Sequence, residues 1–285
     1  MHLVRSASPC VALRRYVRAY LHREIKSCPN PVVEPVHARL EPVLHFNLGD
    51  AFYVRKRDAE IWRLYPAAVV GHQTRGRSDL VMSEGVETFA VFFEPTGLAQ
   101  LFRTSARYLV DRELEAGSFL GDFVNALWTR IGEAATFEER VCIIEDFLLR
   151  QLTRSRGRDR FTQAADQVFA AHGVVRISDI AIQAGLSQRQ FERGFVAETG
   201  CSPKLYARVA RFQTALDMKI ASPHRTWMEI AHCLYYHDQM HMVHDFQTLT
   251  GSSPDRFMAE LGEARPKAVV TVTDLDERAV RMRIM

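Results

Sequence analysis

The sequence predicts an α+β protein, with a β-rich, barrel-like N-terminal domain that also contains helices and an all-α C-terminal domain. Short apolar runs separated by turn residues extend from Pro29 to about Pro95 and are typical of β-strands. After Pro95 the apolar residues recur at helical spacing, and the pattern is helical from residue 160 to about Leu261. The length of 285 residues favours two domains, since a domain typically has about 100–200 residues.

The composition is typical of a folded globular protein, with 47% apolar and 25% charged residues. A formal net charge of +3 is too small to indicate a nucleic-acid partner by itself. The five cysteines are scattered and form no CxxC pair, which disfavours a disulfide framework or a cysteine-based zinc site and favours a reducing, cytoplasmic location. No stretch of about 18 apolar residues is present, so we expect no membrane partner.

The segment TRSRGRDR at 153–160 is polar and strongly basic and contains Gly157. This composition is typical of a linker. We therefore divide the chain into an N-terminal domain (1–152), a basic linker (153–160), a helical domain (161–262) and a tail (263–285). The tail contains the β-branched run KAVVTVTD, for which an extra strand and a loose segment both remain open.

The segment 177–201, ISDIAIQAGLSQRQFERGFVAETGC, has the pattern of two short helices joined by a tight turn. Gly185 suits a left-handed turn residue, and Ser187 suits the N-cap of the second helix. Phe191 and Phe195 form one inward-facing stripe of that helix. Four residues fall on its outward side near its N-terminus: Gln188, Arg189, Glu192 and Arg193.

A helix with such a polar end fits the major groove of DNA, where arginine binds guanine and glutamine binds adenine. A solvated helix face is the other interpretation. The pattern recurs about fifty residues later, in Trp227–Pro254, with Tyr235 opposite Gly185 and Phe246 opposite Phe195. Because two copies of a weak motif are more specific than one, the recurrence favours two helix-turn-helix units.

Three motifs resemble the arabinose-regulator (AraC/XylS) family of transcription regulators. They are AxxxGLSxRxFxRxF at 181–195, ETGxSPxxYxRxxRxxxA at 198–215 and DQxHMxxDFxxxTGxSPxxF at 238–257. The resemblance implies that a long helix within 203–219 bridges the two units. It also implies double-stranded DNA and RNA polymerase as partners, and an N-terminal domain that senses a small-molecule effector, forms a homodimer, or does both.

The resemblance also implies which residues contact DNA. The first recognition helix would use Ser187, Gln188, Arg189, Glu192 and Arg193, and the second would use Asp238, Gln239, His241 and His244. Phosphate contacts are expected from Arg176, Lys204, Arg208 and Arg211. Two departures from the family pattern stand out. Tyr235 replaces a turn glycine, which predicts strain or a rearranged turn, and His244 replaces a common arginine.

Two groups of histidine and acidic residues suggest a metal site but lack the spacing that such a site needs. Residues of metal-ligand type, His37, Glu41, His45 and His72, lie in the β-rich region without the close His-x-His pair of a metal-binding barrel, and His237, His241 and His244 lie on one helix without a fourth ligand. We therefore expect no metal, no cofactor and, in the absence of a catalytic motif, no enzymatic activity. The alternative is a small-molecule-binding enzyme with a barrel-like N-terminal domain and a helical tail for protein contacts.

The apolar side chains of the N-terminal domain leave two choices open. Aromatic residues that form a core or line a ligand pocket are Phe46, Phe52, Tyr53, Trp62, Phe89, Phe92 and Phe93. The helices predicted within 120–152 serve either an intrachain core or a dimer contact. The sequence names no ligand-binding residue.

Overall fold

The computed structural model describes residues 2–56, 61–63, 65–75, 78–155, 157, 159–264 and 269–272. The strands are β1 (His2–Ala7), β2 (Val17–Ile25), β3 (Val32–Val36), β4 (Val43–Asn47), β5 (Tyr53–Lys56), β6 (Ile61–Arg63), β7 (Ala67–Val70), β8 (Ser78–Met82), β9 (Glu87–Phe93), β10 (Glu113–Glu115) and β11 (Val269–Val272). The α-helices are α1 (Gly97–Phe102), α2 (Ala116–Leu120), α3 (Phe123–Glu133), α4 (Phe137–Leu152), α5 (Arg160–Ala170), α6 (Ile177–Gln183), α7 (Gln188–Thr199), α8 (Pro203–Ala221), α9 (Trp227–Cys233), α10 (Gln239–Thr250) and α11 (Pro254–Ala264). This order confirms the predicted α+β class.

The strands form two open sheets rather than a closed barrel. The larger sheet has the order β10-β7-β4-β9-β2-β1-β11, and the smaller has the order β3-β8-β5-β6. The alternating pattern of β2, β4 and β9 sends successive side chains to opposite faces of the larger sheet. Tyr20, Phe46 and Phe89 pack into the core that α1–α4 complete, whereas Leu21 and His45 face a cavity between the sheets. The barrel-like expectation is therefore wrong in one respect: neither sheet closes on itself.

The helices α3 and α4 supply much of the N-terminal core. Leu127, Ile131, Ile144 and Leu148 are buried against the larger sheet within the same chain. Trp128 is partly exposed, and its indole N–H donates to the backbone oxygen of Asn47 at 2.7 Å. The intrachain alternative therefore accounts for the inner faces of both helices, and a dimer contact is limited to what they leave exposed.

The segment expected to be a linker separates two helices. α4 ends at Leu152, and α5 begins at Arg160 after an N-cap at Asp159, whose carboxylate accepts from two backbone N–H groups. Part of the tail forms a strand, because β11 pairs in parallel with β1. The rest of the tail, apart from the end of α11, lies outside the described residues. None of the described helices is long and apolar enough to cross a membrane.

The β3–β4 connection docks the sheets on the helical part of the chain. Ala38 and Leu40 are fully buried in the core of α5–α11. The Glu41 carboxylate, also buried, accepts hydrogen bonds from the Arg18 guanidinium and from Nε2 of Gln213 on α8, the latter at 2.6 Å. The backbone N–H of Leu40 donates to Oε1 of the same glutamine at 3.1 Å. Gln213 thus satisfies two buried groups of the N-terminal region at once.

Candidate nucleic-acid interface

The first helix-turn-helix unit consists of α6 and α7, and its turn and cap follow the predicted chemistry. Gly185 has φ +68°, a left-handed conformation that glycine adopts without steric cost. Ser187 is the N-cap of α7 and forms a capping box with Gln190. The left-handed turn at Gly185 and the N-cap at Ser187 therefore fix where the first recognition helix begins.

The two faces of α7 differ as the sequence predicts. Phe191 and Phe195 are fully buried in the helical core. Gln188, Arg189 and Arg193 are exposed. Glu192 is half-buried and accepts a hydrogen bond from Gln188 at 3.0 Å, which restrains both side chains on the helix surface. The first turn of α7 thus presents amide and guanidinium donors to solvent.

The second unit consists of α9 and α10. Thr226 and Glu229 form a capping box at the start of α9. Tyr235 occupies the turn with φ +52°, so the turn keeps its left-handed residue without a glycine, and its side chain is 78% exposed. The sequence leaves strain or a rearranged turn open at this position. The structure has the strained conformation, because Tyr235 adopts the same left-handed geometry as Gly185 in the first unit.

The recognition helix α10 begins at an acidic cap. The Asp238 carboxylate accepts the backbone N–H of His241 at 2.7 Å, and this hydrogen bond holds the pKa of the carboxyl group below its usual value. Met242 and Phe246 are buried on the inner face of α10. Gln239, His241 and His244 are exposed.

Met240 is a residue of this surface that sequence reasoning missed. It is 71% exposed in the first turn of α10. The offset that pairs Phe195 with Phe246 also pairs Arg189 with Met240, so the second unit carries an apolar side chain where the first carries a guanidinium. Aligning the two units in the sequence identifies Met240, but an apolar side chain is not expected among the polar residues of a DNA-binding surface.

The predicted phosphate-contacting residues fall into two groups. Arg176 and Lys204 are exposed at the starts of α6 and α8. The Arg208 Nε donates to the buried Asp245 carboxylate of α10 at 2.5 Å, which ties α8 to the second recognition helix. Arg211 donates to the Gly173 backbone oxygen at 2.9 Å. The latter two guanidinium groups therefore have internal partners, and any phosphate contact they make is additional.

The N-terminal domain contacts the far end of α7. Ser105 Oγ donates to the backbone oxygen of Ala197 at 2.8 Å. A Cβ at Gly200 would lie 2.6 Å from the Arg107 Cα, so this contact needs a glycine. The polar N-terminal turn of α7 remains exposed while its C-terminal end is fixed.

A second feature is a cavity of about 520 Å³ between the two sheets. Phe52 and Phe92 line it, whereas Phe46, Phe89 and Phe93 belong to the core below the larger sheet. Tyr53 is partly exposed, and the side chain of Trp62 lies outside the described part of the structure. Some of the predicted aromatic residues therefore form the core, and others line the cavity.

The residues of metal-ligand type are dispersed. His72 Nε2 lies 2.9 Å from the Pro95 oxygen, Glu41 is engaged with Arg18 and Gln213, and His37 and His45 line the cavity. Within the described ranges, no group of three or more histidine, cysteine or acidic side chains is placed to hold a metal ion.

Comparisons with known proteins agree with this geometry. Residues 180–260 match the family model of a helix-turn-helix domain, and residues 5–115 match that of a domain of unknown function (DUF6597). No curated protein matches the sequence.

Three solved structures are among those that match this chain. An apo ToxT variant from Vibrio cholerae has 8% identity and a TM-score of 0.50, over 89% of this chain and 99% of that chain. A P21 crystal form of ToxT from the same organism has 8% identity and a TM-score of 0.46, over 91% and 98%. The AraC-like transcriptional activator CuxR has 11% identity and a TM-score of 0.29, over 75% and 86%.

The matched helix-turn-helix domain coincides with the two units α6–α7 and α9–α10. The segment 5–115, matched by the other family model, coincides with the sheets that enclose the cavity. The chain is a DNA-binding transcription regulator whose helix-turn-helix domain resembles those of the arabinose-regulator (AraC/XylS) family, and it carries a separate N-terminal domain of a different family.

Proposed function

We propose that α7 and α10 enter two successive major-groove segments of one duplex and read sequence there. The observation that carries this proposal is the same in both units: a capped helix start with exposed polar side chains above a fully buried apolar stripe. Such a start offers unpaired backbone N–H groups and projects side chains towards base edges.

The residues divide by role. Gln188, Arg189 and Arg193 supply base-edge contacts from α7, and Gln239, His241 and His244 supply them from α10. Ser187 and Asp238 hold the first turns in place, and Glu192 restrains Gln188. Arg176 and Lys204 bind phosphates and set the register of the protein on the duplex. Arg208 acts mainly through Asp245, by fixing the position of α10.

We further propose that the domain boundaries at 152, 160 and 262 separate functional parts. In this proposal the N-terminal domain senses a small-molecule effector in the cavity between the sheets, and surface left exposed on α3 and α4 provides a homodimer contact. RNA polymerase would be the partner through which DNA binding affects transcription. A protein with these partners acts in the cytoplasm, on the chromosome, and needs no catalysis of its own.

The competing interpretation is a small-molecule-binding enzyme whose helical part makes only protein contacts. Selection from a random duplex pool, followed by sequencing of the bound fraction, separates the two. Our proposal predicts an enriched sequence with two conserved blocks about one helical turn apart. Failure to enrich any sequence at 100 mM salt would refute it, and a single conserved block would refute the role of one recognition helix.

A matched pair of variants sharpens this test. Arg189→Ala removes an exposed guanidinium from the first turn of α7, whereas Arg15→Ala removes one from the turn before β2. The first should relax base preference within one block only, because the second block is read by α10. The second should leave both blocks unchanged.

A further inference from the structure

The cavity between the sheets has mostly apolar walls. Apolar side chains of both sheets that face it are Leu21, Val43, Phe52, Val54, Leu80 and Phe92. A volume of about 520 Å³ lies within the range of small-molecule sites. Such walls favour a ligand with an apolar body. The polar side chains among them determine which charged or hydrogen-bonding group that ligand has.

Arg39 is a charged group of the cavity that has no ion-pair partner among the described residues. Its guanidinium lies over the Phe92 ring at 5.4 Å, and its buried Nε has no hydrogen-bond partner. Among the residues that the structure describes, no carboxylate lies within salt-bridge distance of it. Burial lowers the pKa of Arg39, although Glu41 and Glu34 oppose the effect at longer range. A half-buried guanidinium that lacks an ion-pair partner favours an anionic one.

The other charged groups around the cavity are either engaged with partners or exposed to solvent. Arg23 pairs with Glu34 at 2.7 Å. The Asp111 carboxylate accepts from the backbone N–H and the hydroxyl of Thr74 at 2.6 and 2.7 Å. Glu113 also has a partner, and Arg112 is exposed. The balance of charges at the cavity is therefore neutral, but the unpaired charge inside it is positive.

Two buried histidines add hydrogen-bonding groups beside Arg39. His45 is 8% exposed, and neither of its ring nitrogens has a partner; His37 is 5% exposed, with Nε2 unpartnered. Burial lowers their pKa values to about 4 and about 3, respectively. Both imidazoles are thus neutral near pH 7 and offer one donor and one acceptor each.

We propose that this cavity binds an amphipathic organic anion, with its carboxylate or equivalent group at Arg39 and its apolar body between the sheets. This inference rests on the proposed effector function of the N-terminal domain and specifies the class of effector. A carboxylate at Arg39 would satisfy the unpaired guanidinium, and its remaining oxygen or a hydroxyl of the ligand would meet His37 or His45.

The walls of the cavity connect it to the DNA-binding domain. Leu261 of α11 lines the cavity. The His37 ring lies edge-on to Phe212 of α8 at 5.8 Å and to Phe257 of α11 at 5.7 Å. An anion that orders His37 and contacts Leu261 therefore stabilises one placement of α11 against the sheets. We include this coupling in the proposal.

The test uses three probes with the same body and different heads: 4-phenylbutyrate, 4-phenylbutanol and 4-phenylbutylamine. Titration calorimetry and thermal shift on the full chain give the affinity of each. We expect the carboxylate to bind about tenfold more tightly than the alcohol and the amine, as a charge-assisted hydrogen bond provides. Equal affinities, tightest binding of the amine, or no binding of any probe would overturn the proposal.

Two arginine variants locate the head group. Arg39→Gln should abolish the preference for the carboxylate, and Arg39→Lys should retain part of it. Arg112→Gln, at an exposed arginine of the same cavity, is the matched control and should leave the ranking unchanged. A loss of preference in the control equal to that in Arg39→Gln would refute the assignment to Arg39. If Arg39→Gln does not fold, the probe ranking in the wild type still decides.

The coupling has its own readout. The indole N–H of Trp227 donates to Asp255 of α11 at 2.6 Å, so its fluorescence reports on that helix. Replacing Trp62 and Trp128 by phenylalanine leaves Trp227 as the single tryptophan. We expect saturating 4-phenylbutyrate to change its emission, and unchanged emission in the bound protein would refute the coupling. Duplex selection without any probe tests DNA binding separately, so the two proposals fail independently.

Discussion

Replacing Gln213 by alanine should destabilise the protein substantially, because its side-chain amide serves two buried groups of the N-terminal region. Gln213 is 4% exposed, accepts the Leu40 N–H at 3.1 Å and donates to Glu41 at 2.6 Å. The variant leaves both groups buried with one partner fewer. Each of the two groups that lose this partner costs about 1–3 kcal/mol, so we expect a loss of roughly 2–6 kcal/mol in the free energy of unfolding.

The assay is urea denaturation, with the midpoint and the slope m fitted separately. An unchanged m with a lower midpoint would mean a loss of stability rather than a change in compactness. Gln163→Ala, at an exposed position of α5, is the matched control and should change stability by no more than about 0.5 kcal/mol. If Gln213→Ala is no more destabilising than this control, the two hydrogen bonds do not join the domains as described.

Three further predictions concern the turns, the cavity and the second recognition helix. Tyr235→Gly should stabilise by up to about 1 kcal/mol, and Gly185→Ala should destabilise by a similar amount, because both residues have positive φ; thermal unfolding measures both. Stability should fall as pH drops from 7 to 5, by roughly 1–2 kcal/mol for His45, because the unfolded chain binds protons below about pH 6.5 and the buried imidazole only near pH 4. The His45→Asn variant should show a shallower decline in denaturation midpoints, whereas His224→Asn should follow the wild type. Met240→Gln should shift base preference in the block read by α10 from thymine, whose methyl group suits an apolar side chain, towards adenine, as sequencing of selected duplexes measures.

A different result would contradict each of these three predictions. A destabilised Tyr235→Gly variant would mean that the tyrosine ring contributes more than its backbone conformation costs. Identical pH profiles for His45→Asn and the wild type would remove the buried imidazole as the cause. An unchanged consensus for Met240→Gln would place its side chain away from the bases.

The DNA-binding half was predictable because local rules decide it. Glycine at a left-handed turn, serine at a helix N-cap and phenylalanine at four-residue spacing each have one favoured structural role, and Gly185, Ser187 and Phe191 fulfil those roles. The prediction for Tyr235 was also local, since only backbone strain or rearrangement could replace the missing glycine. These rules need no knowledge of the rest of the fold.

The N-terminal half was less predictable because its key features depend on distant residues. Strand alternation identifies two faces, but it does not tell whether the sheets close into a barrel or leave a cavity between them. Arg39 looks like an ordinary surface arginine in the sequence, and only the path of the β3–β4 connection places it over Phe92 of β9. Gln213 likewise shows no signal in a helical pattern, because its partners are about 170 residues away.

Base recognition by the exposed face of α7 is the central claim, and Arg193→Ala tests it most directly. The measurement is the affinity of wild type, Arg193→Ala and Arg15→Ala for the selected duplex and for its single-base variants, at constant salt. We predict that Arg193→Ala loses about 1–3 kcal/mol of specific binding and its preference at one base step, while Arg15→Ala matches the wild type. Unchanged affinity and unchanged preference in Arg193→Ala would contradict this assignment of α7.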